Sequence, residues 1–233
     1  MTNTLQHPNY RYSVNSIGDE KQPLLVIDNV FSQADSLIDY ALTQQNVAPA
    51  KGFYPGMRSP SPPRYIDTLL SVAGDAIEEA FGQPATALVS SESFFSIVAT
   101  PFEQLSPPQR VPHFDRPEPE SLAVIHYLCG APYGGTSFYR HRKTGYEYID
   151  QARVEGYMTQ LDKEVRTEGI GRYKGYISGD TPLFERVASY EATFNRALIY
   201  RCSSLHSGNI PDTYPFDLNP RTGRFTVTSF LYP

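Results

Sequence analysis

His113 and Asp115, in the stretch VPHFD, stand two residues apart. On an extended backbone such residues project to the same face, so an imidazole and a carboxylate can point at one centre. A third donor of matching type, His206 in SSLHSGN, follows the apolar run ALIYR far along the chain. Two imidazoles and one carboxylate on one side of a metal leave the opposite positions open, an arrangement suited to non-haem Fe(II) that must also take a co-substrate and O2. Further on, GRFTVTSFL places Arg224 and Thr226 two apart. The planar fork of an arginine fits a carboxylate bidentately, and a hydroxyl beside it adds a donor, so the pair could hold the distal carboxylate of a dicarboxylic co-substrate. Each feature also has an ordinary reading. An HxD triplet arises by chance as a surface histidine beside a solvated acid, and an isolated arginine usually makes a surface salt bridge.

The elements that must position these residues are mainly strands. After Pro84, segments rich in β-branched and aromatic residues (TALVSSESFFSIVAT, SLAVIHYL, GTSFYRH, ATFNRALIYR, RFTVTSFLY) alternate with Pro/Gly-rich turns, which implies a sandwich or barrel. Upstream, PLLVIDNVF reads as a buried strand and the residues behind Asp35 and Ser36 as a short helix. The stretch from Ala50 to Pro63 reads as loop, because its prolines remove backbone donors and bias their predecessors away from helix. Ile66, Leu69, Leu70, Ala73, Ile77 and Ala80 recur at helical spacing up to Gly82, so this helix is expected to pack one face onto a sheet. A helical interruption is expected over about Tyr148 to Val165, inserted between strands. The fold class is therefore mainly β with flanking helices. One unit over 1–233 is expected, with an N-terminal strand and helix region over about 1–84 and a core over about 85–233 that carries an insertion at about 141–181.

The 233 residues, 40% hydrophobic and 19% charged, exclude wholesale disorder. A net charge of −5 offers no positive surface for a nucleic-acid backbone. Two cysteines, Cys129 and Cys202, are too few for a disulfide scaffold, and the polar start of the chain does not resemble a signal peptide. A cytoplasmic protein with no membrane or nucleic-acid partner is expected, acting on a small-molecule or peptide substrate, with a homodimer left open.

With these residues in place, the chain resembles the 2-oxoglutarate- and Fe(II)-dependent oxygenases, most nearly their prolyl-4-hydroxylase-like branch. That family's pattern is an HxD, a distal His, and a basic residue with a nearby hydroxyl on the last core strand, here His113, Asp115, His206, Arg224 and Thr226. The segment IHYLCGAPYGGTSFY looks like the family's strand, Gly-Gly turn and aromatic strand, which makes Tyr127 a further candidate donor to 2-oxoglutarate. LLVIDNVF and FYPGMR also look like the N-terminal portion of the branch. The resemblance implies a double-stranded β-helix (jelly roll, cupin-like) core with N-terminal helices packed on one sheet. It also implies Fe(II), 2-oxoglutarate and O2 as cofactor and co-substrates, and hydroxylation of a C–H bond.

Arg221, in a turn, and Arg201, next to the strand end that bears His206, are rivals to Arg224 as anchor. The alternation of its strand sends His126 away from the Tyr127 face, towards a packed or hydrogen-bonded role. His141, in RHRK, reads as part of a solvated basic turn. His7 lies in a polar terminus, and the two cysteines read as small core residues. Two rival functions remain on sequence alone: a cupin-like metal-dependent enzyme that is not an oxygenase, and a catalytically inactive binding module.

Overall fold

The computed structural model describes residues 5–169 and 175–233. In chain order its elements are β1 (Arg11–Ile17), β2 (Gln22–Asp28), α1 (Asp35–Leu42), β3 (Ala48–Pro49), β4 (Gly56–Pro60), α2 (Tyr65–Phe81), β5 (Ser90–Val98), β6 (Leu122–Tyr127), β7 (Gly135–His141), α3 (Val154–Glu164), β8 (Phe184–Glu191), β9 (Arg196–Arg201), β10 (His206–Asn209) and β11 (Phe225–Tyr232). An eight-stranded sheet runs β1-β2-β9-β6-β11-β5-β4-β3, and a three-stranded sheet runs β10-β7-β8. Every strand pairing in them is antiparallel.

Alternation along the central strands divides the larger sheet into two faces. Leu25, Ile27, Phe95, Val124, Ile199 and Val227 point outward and meet Leu69, Ala73 and Ile77 of α2 in one cluster. Fully burying a side chain such as Leu69 or Ile77 contributes roughly 1.5–3 kcal/mol each, so the apolar stripe of α2 is enough to seat the helix on the sheet. Gly82 closes α2 in a left-handed conformation (φ 70°), its N–H donating to the Glu78 carbonyl. The other face of the sheet carries Ala123, Leu198 and Tyr200, which pack against Phe138 of the smaller sheet. Between the two sheets the packing opens into a cavity of about 530 Å³.

Five strands were not legible in the sequence, β3 being only the two residues Ala48–Pro49. β4 lies within the proline-rich stretch read as loop, where it pairs with β5 from Gly56↔Val98 to Pro60↔Phe94. It is next to the sheet's end, and proline is tolerated there because one side of the strand needs fewer donors. β1 is an edge strand of mostly exposed residues, β8 is only partly buried, and β10 is four residues long, so none carries a strong apolar alternation. The inserted helix is shorter than expected: α3 spans Val154–Glu164 and continues as a π-turn over Val165–Gly169. The part of the expected insertion at 170–174 lies outside the described residues.

His141 departs from its sequence reading. It is fully buried, with Nε2 2.8 Å from Glu164 Oε2 and Nδ1 2.9 Å from Thr144 Oγ1, and its ring packs on Tyr157 and Phe184. Arg140 and Arg142 are the solvated members of the cluster, pairing with Glu147, Asp19, Glu185 and Asp180. Because β7 extends as far as His141, its alternation places the imidazole opposite its charged neighbours. Among the described residues no helix is long and apolar enough to cross a membrane.

Candidate metal centre

His113 is joined to His206 by an isolated two-hydrogen-bond bridge, each backbone N–H donating to the other's carbonyl at 2.9 Å. This bridge adds one rung beside β10, so the HxD segment runs along the edge of the smaller sheet. The Asp115 N–H donates to the Cys202 carbonyl at 2.8 Å, which ties the carboxylate to the turn leading into β10. A long stretch of sequence is thereby closed at one point, and a ligand atom from each of His113, Asp115 and His206 lies within 4.8 Å of the others.

The approach is through the Nε2 atoms. His113 Nε2 is 3.7 Å from Asp115 Oδ1, and His206 Nε2 is 3.6 Å from Asp115 Oδ2. These separations are too long for hydrogen bonds. They are close to the spacing of two ligands on a common ion, since bonds of about 2.0–2.2 Å put neighbouring donors roughly 3 Å apart. His206 Nδ1 is 3.0 Å from the Ser204 carbonyl, which requires the proton on Nδ1 and leaves the Nε2 lone pair facing the carboxylate. The His113 pKa is lowered to about 3 by desolvation, then by His206 and Arg58, although half of the ring faces the open cavity. A neutral imidazole is the form that ligates. Burial raises the Asp115 pKa, opposed by His206, Arg58 and Arg116, and a bound cation would favour its ionised form. The donor set therefore fits a divalent metal of borderline character such as Fe(II).

Arg224 and Thr226, on the inner face of the larger sheet, line the same cavity. Arg224 is 4% exposed. Its Nη2 donates to the Gly135 carbonyl at 2.8 Å, its backbone N–H donates to Tyr214 Oη at 2.8 Å, and its guanidinium lies 5.8 Å from the Tyr127 ring centroid. Its Nε has no hydrogen-bond partner among the described residues, and neither has the buried hydroxyl of Tyr54, which also lines the cavity. Leaving such a donor buried and unpaired costs about 1–3 kcal/mol. A ligand carboxylate in the cavity would remove that cost. The Gly135 carbonyl reaches Arg224 because the backbones crowd here: a Cβ on Gly134 would collide with the Asn209 carbonyl, and one on Gly135 with that of Tyr190.

The rival anchors are engaged elsewhere. Arg221 pairs with Asp39 on the surface, and Arg201 donates to the Pro119 carbonyl near the Phe81 ring. Tyr127 shares the face of Ala123 and Ile125, but its hydroxyl is 2.6 Å from Thr136 Oγ1 and it does not line the cavity. The phenol is thus engaged with Thr136, its ring 5.8 Å from the Arg224 guanidinium. His126 points to the helical side, 3.1 Å from both Tyr65 Oη and Asn195 Oδ1, and burial lowers its pKa to about 4. His7 Nδ1 accepts the Asn9 N–H at 3.0 Å, and both cysteines are buried and free. Sequence reasoning did not single out Arg58 and Tyr54. Both belong to FYPGMR, where the Gly56 N–H donates to the Tyr54 carbonyl in a turn just before β4, and the neighbouring prolines masked the strand that carries Arg58.

The fold of this chain is similar to that of solved structures, two of which superpose over most of its length. HygX from Streptomyces hygroscopicus, solved with nickel, 2-oxoglutarate and hygromycin B bound, superposes with a TM-score of 0.51 at 13% identity, covering 92% of this chain and 84% of HygX. SnoK, a non-heme α-ketoglutarate-dependent carbocyclase from nogalamycin biosynthesis, gives 0.50 at 12% identity, covering 91% and 80%. At such identity the likeness is one of fold, and it gives no support to the prolyl-4-hydroxylase-like branch in particular. No curated protein matches the sequence. The chain belongs to the family described as a family of unknown function, DUF6445, which it matches over residues 8–231.

Proposed function

We propose that this protein is an Fe(II)- and 2-oxoglutarate-dependent oxygenase with a double-stranded β-helix core, hydroxylating a C–H bond of a small molecule or peptide side chain. The observation that carries the reading is a single cavity lined both by the His113, Asp115 and His206 donors and by an arginine, Arg224, whose buried Nε has no partner among the described residues. His113 and His206 would hold the metal through Nε2 and Asp115 through a carboxylate oxygen. Iron(II) held there supplies the redox chemistry by which 2-oxoglutarate, O2 and R–H become succinate, CO2 and R–OH, one oxygen atom entering succinate and the other the product.

Arg224 would grip the distal carboxylate through its free Nε, with Tyr54 Oη and Thr226 Oγ1 beside it. The hydrogen bond from Nη2 to Gly135 fixes the guanidinium before the co-substrate arrives, which reduces the ordering cost of binding. The aromatic walls of Tyr200, Phe230 and Phe114 keep the cavity apolar and limit access of water to the metal face. α3 contributes Tyr157, Met158 and Leu161 to the same lining and so covers part of the cavity mouth.

The test is succinate release in air with Fe(II), ascorbate and 2-oxoglutarate. The wild type should convert 2-oxoglutarate at least as a slow uncoupled turnover, and His113→Ala should abolish it. Metal binding without any succinate formation would favour a metal-dependent enzyme of another kind.

A further inference from the structure

Arg58 is a second guanidinium in the cavity; it acts on the charges of His113 and Asp115, but no ligand has been assigned to it. It lies on β4 in register with Ser96 of β5, which is in turn opposite Thr226 of β11, so Arg58 and Thr226 occupy one row across the inner face of the sheet. Its Nε donates to Ser96 Oγ at 3.3 Å, and its guanidinium sits 4.6 Å from the Tyr54 ring centroid and 5.2 Å from that of Phe94. Among the described residues no carboxylate lies within 4 Å of it, and its two terminal nitrogens have no hydrogen-bond partner.

A partly buried cation is ordinarily paired, because removing it from water is costly unless charge or hydrogen bonds replace the hydration. The two π faces orient Arg58 and compensate it in part, while its terminal donors, the half of the fork that matches a carboxylate, stay open. The surrounding wall is apolar, with Ile125, Phe230, Phe114 and Leu161 lining the same space. A volume of about 530 Å³ is within the range of small-molecule sites, roughly 300–1,000 Å³.

We propose that Arg58 is the subsite for a carboxylate on the molecule to be oxidised, so that the enzyme takes small carboxylic acids with an apolar body. This rests on the oxygenase reading for the fate of the molecule but not for its binding. Arg224 and Arg58 then divide two anions between them, the co-substrate just before β11 and the substrate on β4.

The experiment is calorimetric titration with N-acetyl amino acids bearing apolar side chains, N-acetyl-L-phenylalanine among them, each alongside its primary amide. The titrations are made into metal-free protein and into protein loaded with Mn(II) and 2-oxoglutarate. At least one acid should bind ten-fold or more tightly than its amide in both forms. Arg58→Gln should erase that preference, Arg58→Lys should keep part of it, and Arg58→Gln should leave the dissociation constant of 2-oxoglutarate within three-fold of wild type. Arg224→Gln should do the reverse. Thermal unfolding of each variant shows whether it is folded, and the lysine variant retains the test if the glutamine variant is not.

Amides that bind as well as acids, absence of binding by every acid, or an Arg58→Gln variant that keeps the preference would each overturn the proposal. So would a loss of 2-oxoglutarate affinity in Arg58→Gln as large as that in Arg224→Gln, which would put the co-substrate on Arg58. Failure of the oxygenase reading looks different: no succinate forms, while the acid preference persists in the metal-free protein.

Discussion

Replacing Arg224 with Gln removes the guanidinium expected to hold the co-substrate. One of its donors, Nη2, is committed to the Gly135 carbonyl, and Nε has no partner among the described residues. The loss is therefore at least one charge-assisted hydrogen bond, about 1.5–3 kcal/mol. At about 1.4 kcal/mol per factor of ten, this raises the dissociation constant of 2-oxoglutarate roughly 10- to 150-fold. Calorimetric titration of 2-oxoglutarate into Mn(II)-loaded protein measures it directly. Arg221→Gln is the control, because Arg221 pairs with Asp39 on the surface. The carboxylate of the added co-substrate needs the charge as well as the geometry, so Arg224→Lys should recover only part of the affinity. A dissociation constant for Arg224→Gln within three-fold of wild type would refute the anchor and the chemistry built on it.

Three other substitutions follow from groups whose partners are defined. Tyr127→Phe orphans the buried Thr136 hydroxyl, so urea unfolding should show a loss of about 1–2 kcal/mol with the 2-oxoglutarate affinity unchanged; a ten-fold weaker affinity would return the phenol to the ligand site. His141→Phe leaves Glu164 buried without its partner, and the loss should be on the order of 3 kcal/mol. The double variant with Glu164→Leu should regain part of that stability, and an unaffected single variant would rule out the pair. Asp28 has its pKa lowered first by the hydrogen bond from Arg196, against burial and with help from Arg11. A depressed folded-state value contributes stability above the unfolded pKa, about 3.9, and loses it as the pH falls through the folded one. Asp28→Asn should therefore be less stable at neutral pH and show a flatter decline of urea midpoint below about pH 4, whereas parallel curves would show that the pair contributes nothing.

What was legible in the sequence and what was not divides along physical lines. The three candidate donors stood out because His113 and Asp115 are two apart and His206 follows a strongly apolar run, although the structure gives His113 only an isolated bridge rather than a strand. Their convergence could not be read off, since it depends on the His113↔His206 bridge and on the Asp115 N–H meeting the Cys202 carbonyl, contacts between segments distant in the chain. Arg224 stood out by its spacing from Thr226; its place on the cavity wall with an unpartnered Nε among the described residues, and the engagement of Arg201 and Arg221 elsewhere, depend on packing that one strand does not show. Tyr127 faces the expected side of β6, but a hydroxyl's partner depends on neighbours across the sheets, and Thr136 was invisible to a reading of one strand. His141 was misread because local charge outweighed strand alternation. Arg58 and Tyr54 were missed because prolines hid β4, a strand held by its pairing with β5 rather than by its own composition.

The proposed function depends on His113, Asp115 and His206 acting on one ion. The most direct measurement is anaerobic calorimetric titration of Fe(II) into the wild type and into His113→Ala, Asp115→Ala and His206→Ala. One equivalent should bind the wild type, and each variant should bind at least ten-fold more weakly while remaining folded by circular dichroism. Equal affinity in any folded variant would show that the residue is not a ligand, and the metal centre would have to be sought elsewhere.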